Sequence, residues 1–468
     1  MRLRLALLCL REMRHRPRAD LAAETIDRFL GALCVETRVG YRTMHLFSRR
    51  GDGPALTALV VASLANHLGQ GLLGLILPLL ARSVTDSPVA ISGITFSLTL
   101  PWLVLGLVSG VLVDRVDRRR MLIGVVVLRA IAVAALAVLL LADQVAIGWL
   151  YLVALTLGMT ETLLEPALIS AIPIVAPGAR LHRANAQIIG GRLIIENVAQ
   201  AISGALIAVG FLLATGSSLL AFVVGIVGFT AMRGSFRVPR TDVGTERAHS
   251  ARSILAGVHL TLREEPLRTI TLASAVINGA WAAWWSVWTV HAVAPGPVGL
   301  SSFGLGVLMS VGSVSSLIGT ALAVPMQRCI GPRWAIGINI VGNASLFAIT
   351  ALTDHLALIV LGVMLGELGG PGWGIVTNTL QQERVPVELR GRVISAYRFI
   401  GFGAKAIGAL AGGIGAELVG IPWMYAGCAA ITAMTLRPFA RFVTNEAMAR
   451  GDRARDHGER TTVSPPSP

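Results

Sequence analysis

Lysine is almost missing from this chain. Of 40 basic residues only one, Lys405, is a lysine, and it sits inside an apolar run as Ala-Lys-Ala. A phosphate-cradling Walker loop needs Gly-Lys-Ser or Gly-Lys-Thr, so ATP binding through that motif is excluded. Cysteine is scarce as well. Cys9, Cys34, Cys329 and Cys428 show no ligand spacing, and two of them lie in the N-terminal segment assigned to the cytoplasm, so neither a disulfide framework nor a zinc site is indicated. Charge is sparse, at 14% of residues, and no nucleophile-base set or metal cluster falls at one depth. The expectation is a protein that is not an enzyme, with no metal and no cofactor. A signal peptide is not expected, because the apolar stretch Leu5 to Leu10 is short and no small-residue cleavage site comes after it.

Apolar sequence is what the chain has in excess: 54% of its 468 residues are hydrophobic, and mean hydropathy is +0.69. Runs longer than about 18 residues recur, each able to cross a hydrocarbon core of roughly 30 Å as a helix. Barrel strands would alternate apolar and polar residues over about 10 positions, which these runs do not do. The chain therefore reads as an all-α integral membrane protein, since helices satisfy their own backbone groups where water is absent. A net charge of +14 would suggest nucleic acid in a soluble protein. Here the arginines concentrate in tails and alternate loops, which reads as membrane topology and anionic-lipid contact, with no nucleic-acid partner.

Twelve spans are predicted, near 55–82, 90–113, 120–142, 146–175, 184–209, 211–232, 268–293, 300–326, 333–353, 355–382, 391–418 and 421–443. The sharpest interruption is the turn Gly110 to Arg120, GVLVDRVDRRR, between spans two and three. Its arginines, and those of the other even-numbered joins, place both termini in the cytoplasm of a multi-pass protein of the cell membrane. The polar stretch 233–267 reads as a linker between two six-helix halves, 55–232 and 268–443, flanked by a basic extension (1–54, with Met44 an alternative start) and a disordered tail (444–468). Two landmarks suggest a parallel repeat: Gly110 with Gly319, and Pro177 with Pro386, both offset by 209 positions. The same offset pairs Glu196 with Lys405, and it leaves Ala323 where a second Asp114 would stand.

Gly110, Asp114, Arg115, Arg118 and Arg119 form a Gly-x-x-x-Asp-Arg-x-x-Arg-Arg turn between the second and third of twelve spans, and this resembles the major facilitator superfamily. DRVDRRR, the segment Glu165 to Ala186 and RVPVELRGRV (Arg384 to Val393) are similar to its bacterial drug and siderophore efflux branch, which includes macrolide and enterobactin exporters. The resemblance covers about residues 55 to 443. It implies two six-helix halves that rock about a central cavity, a turn that latches the cytoplasmic side, and efflux by proton antiport. Two departures stand out: Ala199-Gln200 in span five and Ala406-Ile407-Gly408 in span eleven replace prolines usual in that branch.

A titratable group inside a bilayer costs at least about 2.5–3.5 kcal/mol, so each needs a partner or a watery cavity. Arg129 in span three and Glu165 in span four lie at similar depth and are expected to pair, either for packing or for coupling. Arg192 and Glu196, at i and i+4, share a helix face, and with Lys405 complete the coupling candidates. Asn66, His67 and Gln70 on span one, Glu161 on span four and Glu367 in the Gly/Pro-interrupted ELGGPGW are cavity candidates. Trp281, Trp284, Trp285 and Trp288 form one stripe on span seven, suited to a bulky apolar or cationic cargo or else to lipid contact or helix packing. The expected function is export of a lipophilic or amphipathic small molecule by a monomer that also handles protons. Importer, facilitator or non-transporting receptor are the alternatives.

Overall fold

A computed structural model describes residues 53–106, 109, 112–113, 116–176, 181–232, 236, 258–385 and 387–442. The chain divides into two compact units, Met1–Thr57 and Ala58–Pro468, and nearly all the described residues belong to the second. The predicted extension and tail, most of the linker, and Gly110, Asp114 and Arg115 of the basic turn lie outside the described residues.

Among the described residues the secondary structure is helical, apart from one isolated bridge between Val293 and Leu300. The first half contains α1 (Pro54–Val84), α2 (Pro88–Leu105), α3 (Arg118–Leu141), α4 (Ile147–Val175), α5 (Gly191–Val209) and α6 (Phe211–Ala231). A π turn, Ala186–Gly190, leads into α5. The second half contains α7 (Glu265–Ala292), α8 (Ser302–Ile330), α9 (Pro332–Leu352), α10 (Leu356–Leu368), α11 (Gly370–Arg384), α12 (Val387–Val419), α13 (Ile421–Met434) and α14 (Leu436–Phe442).

Local chemistry sets the ends. Ser87 and Ser301 cap α2 and α8 by accepting from Ala90 N and Gly304 N, and Asp117 caps α3 by accepting from Arg120 N. Gly331 and Gly420 turn the chain between antiparallel helices at φ +86°, a conformation that costs glycine nothing. The tenth span is broken at Gly369, packed against the Asn339 backbone, and resumes through Pro371 at the start of α11.

Among the described residues, ten helices are long and apolar enough to cross a membrane. The other two expected spans are α7 and the last. With 28 residues α7 is long enough, but tryptophan and hydroxyl side chains lower its hydropathy. The last span divides at Thr435 into α13 and α14. Together these make the twelve membrane-crossing segments of an all-helical protein.

Within the first half, α1 is held close by its neighbours: Ser218 Oγ donates to Gly69 O at 2.8 Å and Ser203 Oγ to Leu72 O at 2.9 Å. In the second half α7 packs along α12 and α9 along α13, around a core that includes Ile270, Ile336, Ile340, Val393 and Phe439. The halves meet through α2 with α12 and α5 with α8. Gly204 of α5 faces Ser302 and Gly306 of α8; a Cβ on Gly204 would lie 2.6 Å from Ser302 O, so only glycine fits. Gly413 of α12 abuts Ser92 in the same way, and Gly403 meets Leu103 further along. The Gly204 and Gly413 contacts lie near the start of α2 and α8 and the end of α5 and α12. That is the face opposite the basic turns.

Helix starts correct one repeat landmark. From α2 to α8 and from α3 to α9 the offset is 214 positions (302 minus 88, 332 minus 118). From α4 to α10 it is 209 (356 minus 147). Gly319 is therefore not the partner of Gly110: it lies within α8, packed on the Leu368 carbonyl. From α6 to α13 the offset is 210 (421 minus 211), so the fourth and sixth helices start close to the 209 of the Pro177–Pro386 landmark.

Candidate functional site: a charged wall facing an aromatic wall

The first half holds a continuous set of charges that runs from the fully buried Arg129 to the partly exposed Arg192 and Glu196. Arg129 on α3 is fully buried, and each of its three guanidinium nitrogens donates a hydrogen bond. Nη2 donates to Glu161 Oε2 at 2.5 Å, Nε to Thr160 Oγ1 at 2.9 Å and Nη1 to Asn66 Oδ1 at 3.0 Å. Three helices are joined at this one side chain. The fit reflects the fork geometry of guanidinium, which offers five donors in a plane.

The expected pair of Arg129 with Glu165 is not formed. Glu161 and Glu165 lie one turn apart on one face of α4, so depth alone could not separate them. Thr160 and Asn66 fix the guanidinium beside the earlier residue, and Glu165 instead binds Arg192 Nη1. Arg192 also donates from Nε to Glu196 Oε1 at 2.8 Å and approaches Glu161 Oε1 at 3.9 Å. The i, i+4 pair is thus present but not self-contained. His67 Nδ1 of α1, fully buried, lies 3.3 Å from Glu196 Oε1. Gln70 has a different place: its Oε1 is buried and without a hydrogen-bond partner.

This wall contains three carboxylates (Glu161, Glu165, Glu196) and two guanidiniums (Arg129, Arg192). With neutral His67 it carries one excess negative charge, which a single proton would cancel.

The second half presents rings instead. A cavity of about 80 Å³ is lined by Trp281, Trp284 and Trp285 of α7, Met309, Gly312 and Ser313 of α8, Leu346 of α9, Val363 and Glu367 of α10, and Gln200 from α5. Trp281 and Trp285 are stacked at 5.5 Å. Only part of the predicted stripe reaches the cavity. Trp288 is 0% exposed, stacked on Trp284 at 4.7 Å and beside His291, so it is a packing residue. A stripe spanning two turns of helix is wider than the cavity it meets.

Lys405 does not pair with Glu196. Its Nζ lies 5.0 Å from the Phe402 ring centroid and 5.5 Å from that of Trp281. Two charges act on it, Glu367 by attraction and Arg192 by repulsion. Among the described residues Lys405 makes no ion pair.

At the basic turn Arg118 donates to Ser170 Oγ of α4 at 2.9 Å and to Phe236 O at 3.3 Å. Arg119 donates to Phe229 O at 3.3 Å and Thr230 O at 2.7 Å, among the last carbonyls of α6. Cations at a helix C-terminus interact favourably with its dipole. Asp117 accepts from Phe236 N at 3.2 Å. Thr160, Phe402 and the Gly204–Gly306 contact are site features that sequence reasoning did not single out.

Two six-helix halves, meeting at one face with a charged wall in one and an aromatic cavity in the other, define a secondary transporter of the major facilitator superfamily. Residues 53–464 match the family model described as "Transmembrane secretion effector", and the chain belongs to that family. It is 24% identical over 425 residues to the uncharacterized MFS-type transporter y4rN of Sinorhizobium fredii, covering 87% of this chain and 99% of the relative. It is also 24% identical over 374 residues to the enterobactin exporter EntS of Escherichia coli, covering 78% and 86%. Among solved structures, a variant of the nucleoside transporter NupG superposes with TM-score 0.69 at 13% identity, over 83% of this chain and 100% of the other. A bacterial homologue of the iron transporter ferroportin, in an inward-facing state, gives 0.65 at 17% identity, over 84% and 99%. These structures share the fold.

Proposed function

We propose that the protein is a secondary active exporter of a lipophilic or amphipathic small molecule, such as a drug-like compound or a siderophore, driven by proton antiport in the cytoplasmic membrane with both termini inside. The observation that carries the reading is the single excess negative charge in the network His67–Glu196–Arg192–Glu165/Glu161–Arg129. One proton neutralises it and one proton lost restores it, so protonation can alternate with cargo occupancy while the halves rock. The similarity to an enterobactin exporter supports the outward direction. The aromatic cavity supports an apolar cargo body. The intact basic turn of the first half, through Asp114 and its arginines, would hold one state closed.

Purified protein in proteoliposomes, given a lipophilic dye and an imposed pH gradient, tests this. Dye movement against its own gradient, only when protons flow the other way, is the expected result. Equal flux with and without the gradient overturns antiport, and no flux of any lipophilic probe overturns export.

A further inference from the structure

The aromatic cavity has a chemical bias that the charged wall does not explain. Its one charged lining residue is Glu367 and its other strong acceptor is Gln200. Gln200 Oε1 is buried without a hydrogen-bond partner. Among the described residues Glu367 likewise has no hydrogen bond or ion pair, although Lys405 attracts it. Space for Glu367 comes from Gly312: a Cβ there would lie 3.3 Å from Glu367 Cγ and 2.9 Å from Val363 Cγ1. Two unmet acceptors and stacked indoles together favour a ligand that brings positive charge and N–H donors, because ring faces are negative at their centres.

The same surface already holds one ammonium. Lys405 Nζ rests over Trp281, a cavity wall, and over Phe402. A lysine has a flexible four-carbon stem and a compact charge, so its ammonium can move while its backbone stays put.

We propose that this cavity takes the protonated amine of an organic cation, with Glu367 and Gln200 accepting from it and Trp281 and Trp285 covering it, and that Lys405 is a tethered competitor for the same place. The proposal rests on the export reading only for its biological use, since it assigns the class of cargo. When cargo is present its ammonium lies against Glu367 and Lys405 is displaced. When cargo leaves, Lys405 moves towards the carboxylate and prevents rebinding. An internal cation of this kind lowers affinity in proportion to the fraction of time it occupies the site.

The test uses full-length protein in nanodiscs and three ligands with one body: 4-phenylbutylammonium, 4-phenylbutan-1-ol and 4-phenylbutyrate. Equilibrium dialysis, with empty nanodiscs as blank, reads their affinities. The cation is expected to bind about tenfold tighter than the other two. Glu367→Gln should remove that advantage, bringing the cation down to the affinity of the alcohol for the same variant, and Glu367→Asp should restore most of it. Lys405→Gln should tighten the cation severalfold. Equal or tighter binding of the alcohol or carboxylate overturns the site, as does a Glu367→Gln variant that still binds the alcohol and keeps its preference for the cation. Weaker cation binding in Lys405→Gln overturns the competitor role. Binding needs neither flux nor a gradient, so selective cation binding without export would sink the export reading alone. Export of a neutral lipophile without cation selectivity would sink this inference alone.

Discussion

Glu161 binds Arg129 of α3 at 2.5 Å through one oxygen and lies 3.9 Å from Arg192 of α5 through the other. One carboxylate on α4 therefore links two arginines on different helices. Removing its charge leaves the fully buried Arg129 uncompensated, and breaking a buried pair typically costs about 3–5 kcal/mol. Glu161→Gln is expected to lower the melting temperature in detergent markedly. The double variant Arg129→Met/Glu161→Gln should lose less than Glu161→Gln alone. A double variant as unstable as the sum of both single changes would show that the pair does not couple.

Glu196 lies at the half-exposed end of the network, between Arg192 and His67. Glu196→Gln keeps the shape and removes the excess negative charge. Flux in proteoliposomes should then lose its stimulation by a pH gradient, while downhill movement of cargo persists. A stimulation as large as in the unaltered protein would move the coupling site elsewhere.

Gly306 leaves no room for a side chain, since a Cβ there would lie 2.8 Å from Gln200 O. Gly306→Val is expected to hold α5 and α8 apart and favour the state open at the face opposite the basic turns. A cysteine placed at Ser92, on the same face, should label faster with a membrane-impermeant maleimide in that variant. Unchanged labelling would mean that the closure does not depend on this crossing.

Arg119 reaches two carbonyls at the end of α6, and a charge in that position is worth about 0.3–1 kcal/mol. Arg119→Ala should slow flux severalfold with little loss of protein from the membrane, and Arg119→Lys should recover part of it. Asp114→Ala is expected to behave alike. Normal flux in both alanine variants would refute a holding role for the turn.

Hydropathy made the helical class legible because each span is a long continuous run. It understated α7 because tryptophans that build the cavity wall count against membrane hydropathy. Residue type and spacing were enough to nominate Arg129, Glu161, Arg192 and Glu196. They were not enough to choose between Glu161 and Glu165, because rise along a helix measures depth and not rotation. Trp288 shows the same limit: it shares a stripe with Trp281 and Trp285 but turns into the bundle. The Gly110–Gly319 pairing failed because a fixed offset assumes equal lengths, whereas the second and third helices start 214 positions from their counterparts and the fourth 209. The Gly204–Ser302 approach involves two residues almost a hundred positions apart, with no local signal stronger than small size.

The crossing of α5 and α8 also has a mechanical consequence. Glycine against backbone leaves no side chains to interlock, so pulling the helices apart requires no rotamer to change and tears out no knob from a hole. Pushing them together is resisted at once by hard contact between main chains. Such a joint is stiff in compression and weak in tension, which lets it stop inward travel at a fixed distance yet release without a large mechanical barrier.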